Sequence, residues 1–263
     1  MNTNVFKIMT IVLMLSLAIT GCDKDNETVS NIDSEIVITM KESSSRTLQL
    51  YLSTTKIYPC CNFPIDLSWK KSSNIIDISI KGVIGTDFCL TALGPATATI
   101  DLGLLNNGTY LLHFHNGHLK RSGELIVSSN SYKINFVDNP NFHFTNTPLN
   151  KVPENTIWGL VGYHEQGTAS LVQSFLNDLV NLGAEKKKYN SGYYNAFEIN
   201  KNGEITYPGT LWGYWFDQPF IFHYSGNIAN VDKLVEQYAR DYKEKLSITV
   251  NTDKGERFLS WMY

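Results

Sequence analysis

Between Ser34 and Asp138, apolar and polar positions alternate in short runs. "EIVITM", "RTLQLYL", "FPIDLSW", "IIDISI", "ATATIDLG", "TYLLHFH", "GELIVSS" and "YKINFV" are rich in β-branched and aromatic residues, and turn residues separate many of them. A period of two places those side chains on one face of a strand. No stretch here carries a helical period. Residues 34–138 therefore predict eight short strands and an antiparallel, immunoglobulin-like β-sandwich.

The texture changes at Val137. "VDNPNFHFTNTPLNKVPENT" holds three prolines and five asparagines, and residues 139–156 read as an interdomain linker or an extended crossover. "IWGLVGY" follows as an apolar strand. In "TASLVQSFLNDLVNLG", Val172, Phe175, Leu176 and Leu179 share one helical face, with Thr168 as N-cap and Gly183 just past the end. A second helix carries Val231, Leu234, Val235, Tyr238 and Tyr242, with Asn230 as its N-cap. Between the helices lie "YNAFEIN", a Lys201-Asn202-Gly203 turn, "EITY" and "FIFHY". After them "LSITV" turns through Thr252 to Gly255 into "ERFLSWMY". The order is close to β-α-β-β-α-β with an extra strand, so residues 157–263 predict a ferredoxin-like α+β domain with both helices on one face of the sheet.

The first 21 residues have the parts of an export signal. Lys7 supplies a positive n-region and Ile8 to Ile19 is almost wholly apolar, which is too short to span a bilayer as a helix. The run ends in Ile19-Thr20-Gly21-Cys22. This resembles the lipobox of bacterial lipoproteins. The resemblance implies cleavage before Cys22, which becomes an acylated N-terminus holding the protein on the lipid bilayer. Residues 22–33 then form a polar tether, and Asp23 to Glu27 resembles the acidic stretch that sends some lipoproteins of Bacteroidetes-type bacteria to the cell surface. A tethered immunoglobulin-like module ahead of a small α+β module is similar to surface lipoproteins of such bacteria. The implied location is the cell envelope, at the outer membrane and on its exposed side. The likeness brings no activity with it.

The 14 Tyr, 13 Phe and 5 Trp argue for well-packed material. The formal charge is −3 for the whole chain, and with no basic run nucleic acid is not indicated as a partner. Export favours a disulfide. Cys60 and Cys61 are adjacent and point to opposite faces of a strand, so one of the two should pair with Cys89 and leave the other over. A zinc site from these three lacks a fourth ligand and a Cys-x-x-Cys spacing.

Candidate chemistry is sparse. In "HFHNGH" an Asn116-Gly117 type I′ turn would set His115 opposite His118 and His113 opposite Lys120. His113, His115 and His118 would then share one face, either as zinc ligands or as a solvated edge, with Lys120 and the lack of a cavity opposing metal. "YHEQG" places His164 and Glu165 in a strand-to-helix loop, where catalytic groups often sit. No nucleophile elbow, zinc-protease helix or phosphate loop occurs, and no catalytic residue or cofactor is implied. Leu211, Trp212, Tyr214, Trp215 and Phe216 gather in a loop bounded by Pro208-Gly209 and Pro219. They read as a binding patch, or as a loop folded back over the core. Two functions follow: an envelope-anchored module binding a protein or glycan, or an envelope enzyme or protease inhibitor working through the His-rich hairpin or the His164-Glu165 loop.

Overall fold

The computed structural model describes residues 32–90, 92–137, 140–207 and 214–263. They form three β-sheets and two α-helices. The eight alternating runs become β1 (Ile36–Glu42), β2 (Leu48–Tyr58), β3 (Ile65–Ser72), β4 (Ile75–Val83), β5 (Gly94–Asp101), β6 (Gly108–Asn116), β7 (Leu119–Val127) and β8 (Ser131–Phe136). Alternate residues of each face one core. Ile36, Ile38 and Met40 of β1 and Leu48, Leu50 and Leu52 of β2 meet Ile76 and Ile78 of β4 and Leu112 and Phe114 of β6 there.

The sheets are mixed rather than purely antiparallel. β4 and β6 run parallel because the chain between them crosses to the opposite sheet, where β5 pairs with β2. Parallel neighbours require such a long crossover. The Pro- and Asn-rich segment also enters the fold: β9 (Phe142–Thr145) lies parallel to β1, and β10 (Leu149–Asn150) pairs with β8. Phe142 and Leu149 are buried, so this crossover contributes to both layers.

The sandwich has two distinct ends. At one, Ile32 leads into β1, β2 ends, the β4–β5 loop begins and β6 turns into β7. There the Asn116 carboxamide clasps the Ile32 backbone, accepting from its N–H at 3.2 Å and donating to its carbonyl at 2.7 Å. At the other end the β1–β2 turn meets the rest of the chain.

Beyond the junction lies a four-stranded sheet in the order β15-β11-β16-β17, built from β11 (Thr156–Tyr163), β15 (Phe216–His223), β16 (Leu246–Thr252) and β17 (Arg257–Leu259). Helices α1 (Ala169–Asn181) and α2 (Ile228–Asp241) cover one face of it. Thr168 precedes α1 without a side-chain capping bond. The N-cap of α2 is Asn227, whose side chain accepts from the Ala229 N–H at 3.1 Å, so Asn230 lies inside the helix.

Of the strands between the helices, only β15 joins this sheet. β12 (Gly192–Tyr194), β13 (Phe197–Ile199) and β14 (Ile205–Thr206) extend the large sandwich sheet through β10. They thereby cover the helix-free face, where Trp158 packs on Phe197 with ring centroids 5.5 Å apart. Burial on both faces explains why β11 reads as a continuous apolar run rather than an alternating one. Among the described residues no helix is long and apolar enough to cross a membrane.

Candidate functional site

β11, β15 and β16 share a junction end, at Thr156, His223 and Thr252, and a far end, at Tyr163, Phe216 and Leu246. The eight residues of β11 separate the two ends by roughly 23 Å. At the far end two segments predicted separately come together. Phe216 lies opposite Tyr163 in the strand register, and their rings stack at 5.3 Å. Tyr214 stacks on His164 at 4.5 Å. Trp215, between those two anchored rings, is 84% exposed, and Phe216 is 41% exposed. Phe216 is thus the first residue of β15 rather than a loop residue. The strand tolerates Pro219 because β15 is a sheet edge, where a missing N–H costs nothing. Leu211 and Trp212 lie outside the described residues.

This arrangement suits contact. Stacked and exposed rings present faces to a sugar or an apolar side chain. His164 presents one ring face to Tyr214. Glu165 accepts the Thr168 N–H through its carbonyl, not its carboxylate.

The histidine hairpin has a different register from the predicted one. Asn116 pairs with Leu119, so Gly117 and His118 form the turn. The physical reason is Asn116 itself. Its side chain is committed to Ile32, which keeps it in the last inward-facing position of β6. His115 then faces Lys120, and His113 faces Ser122 and bonds its hydroxyl at 2.7 Å. His115 reaches Asp77 at 3.9 Å, and His118 stands apart on the turn. Among the described residues no group of three His, Cys, Asp or Glu is placed to hold a metal ion.

Cys60 is bonded to Cys89 and Cys61 is a free, half-buried thiol. Cys22 lies outside the described residues.

A buried polar cluster at the junction was not anticipated. Glu42 stands on the same inward face of β1 as Ile36, Ile38 and Met40. Strand parity alone would have placed a carboxylate there. Arg46 lies 3.5 Å from it and donates to the Val152 carbonyl at 2.6 Å, and Asn195 donates to the Glu42 carbonyl at 3.0 Å. Lys151 lies over the Tyr132 ring at 4.4 Å and donates to the Ser128 carbonyl at 2.7 Å. Burial raises the Glu42 carboxyl above its usual range although Arg46 opposes this. Burial and then Glu42 push the Tyr132 phenol up to about 12. These bonds join the β1–β2 turn to the β10–β11 connection, and a cleft of about 190 Å³ beside them reaches Trp158, Asn195 and Arg257. The Arg46 bond to the Val152 carbonyl and the Asn195 bond to the Glu42 carbonyl fasten the two halves.

Comparisons with family models, with curated proteins and with solved structures return no match for this chain.

Proposed function

We propose that the protein is a lipid-anchored component of the cell envelope that binds a protein or glycan partner through the rings at its far end. The anchor is acylated Cys22 in the outer membrane, with the folded part on the exposed side. The sandwich is read as immunoglobulin-like, supported by the crossover that takes β5 to the opposite sheet. The second unit is read as a ferredoxin-like relative. Its support is the β15-α2-β16 unit, in which two parallel strands flank β11.

The observation that carries the binding reading is Trp215. A large indole, 84% exposed, sits between Tyr214 and Phe216, whose rings are themselves fixed by His164 and Tyr163. Rigid aromatic side chains lose little conformational entropy on binding and dominate many interfaces. The site lies at the end of β11 remote from the junction.

The test is a titration of the full chain with oligosaccharides and envelope peptides, followed by tryptophan emission. The expected result is one saturable ligand class whose affinity falls by about 2 kcal/mol or more, roughly 30-fold, in Trp215→Ala. Binding that is identical in the variant would show that the rings are not the site.

A further inference from the structure

The end of the sandwich where Ile32 enters carries a second apolar feature. The β4–β5 loop displays Phe88, Leu90 and Leu93, which are 73%, 46% and 76% exposed. Ile57, near Leu93 at the end of β2, is also exposed. Large apolar groups gathered on a loop mark an interaction surface. Held loosely, such a loop would fold over them. This one is pinned twice. Cys89, between Phe88 and Leu90, is bonded to Cys60. The Asn62 carboxamide donates to the Phe88 carbonyl at 2.7 Å and accepts the Leu90 N–H at 3.2 Å. Both restraints hold the loop backbone against the β2–β3 connection and leave the apolar side chains outward.

The position of this loop identifies its occupant. Glu35 and Asp33 lie alongside the last residues of β2: Thr55 N–H donates to the Glu35 carbonyl at 2.9 Å, and Lys56 bonds Asp33 at 3.2 Å. Two residues beyond Tyr58, where β2 ends, is Cys60. The chain therefore enters the fold beside the stapled loop. Nine residues lie between Cys22 and Ile32, ten peptide steps in all. That many peptide steps reach at most about 35 Å.

We infer that Phe88, Leu90 and Leu93 dock into the interface of the bilayer that holds the anchor. The inference rests on the reading of Cys22 as the acylated residue. Three exposed apolar side chains alone bind a membrane weakly. A short tether makes their contact intramolecular, so a weak contact becomes persistent.

The experiment uses the full acylated chain on phosphatidylcholine vesicles, with and without bromine on the acyl chains. Leu93→Trp and, separately, Phe88→Trp place a reporter at exposed positions that the fold tolerates. The expected result is co-sedimentation with vesicles and a blue-shifted added emission, quenched at least about twofold by brominated lipid, as for side chains seated about 5–10 Å into the headgroup boundary. Co-sedimentation with unquenched, water-like added emission in both variants overturns the docking and leaves the anchor standing. Failure to co-sediment removes the anchor and the docking with it.

Discussion

Both ends of the molecule hold apolar side chains in water, but by different means. At the entry end Phe88, Leu90 and Leu93 are carried on a loop with no ladder of its own, fixed covalently through Cys60–Cys89 and by one carboxamide. At the far end Tyr214 and Phe216 are fixed by stacking on His164 and Tyr163, next to a regular strand pairing. The difference teaches what each end needs. A loop without secondary structure has few ways to resist collapse, and a disulfide supplies one. A strand end already has fixed backbone, so ring contacts suffice to orient the side chains. The Glu42–Arg46 cluster joins the halves.

The largest expected effect separates an exposed ring from a buried one in the same sheet. Trp158 is buried against Phe197, and Trp158→Ala should cost roughly 3–5 kcal/mol in chemical denaturation. A cost below about 1 kcal/mol would mean that the β12–β14 extension does not pack on this face. Next, replacing Cys60 and Cys89 with serine should lower stability by roughly 2–4 kcal/mol, because the bridge closes a loop with a sequence separation of 29. The stacking at Tyr163 and Tyr214, read by near-ultraviolet dichroism, should be unaffected. Loss of both signals together would erase the distinction between the ends. Asn62→Ala should cost about 1 kcal/mol and should speed amide exchange at Leu90 while leaving the far end protected.

The junction gives a pH-dependent prediction. Burial raises the folded-state Glu42 carboxyl above its ordinary value of 4.5. Over the interval between the ordinary and the raised value the folded chain holds more protons than the unfolded one, so stability falls as pH rises through it. Glu42→Gln should flatten that decline and leave the melting temperature below pH 4.5 nearly unchanged. An unaltered slope in the variant would place the responsible group elsewhere.

The sandwich strands were legible because half-buried strands alternate with period two, and all eight appear where the alternation lies. The helices were legible for the same kind of reason at period 3.6. What escaped was decided by partners distant in sequence. β9 and β10 are two to four residues long and sit among prolines and asparagines, so no local period marks them. β12 to β14 look like members of the second sheet until β10 is known to offer them an edge. The hairpin register turned on Asn116, whose partner Ile32 is 84 residues away. The choice of Cys60 over Cys61 also depends on tertiary placement. At the far end, aromatic density pointed to Tyr214, Trp215 and Phe216, but their stacking partners Tyr163 and His164 emerged only with the strand register.

The most direct measurement pairs a thermal melt with a binding isotherm for Trp215→Ala. The ring is 84% exposed, so its loss should change stability by less than about 0.5 kcal/mol. It should also weaken ligand binding by about 2 kcal/mol or more. A melting temperature that falls as far as that of Trp158→Ala, or an affinity that does not change, would contradict a recognition surface at this end of the molecule.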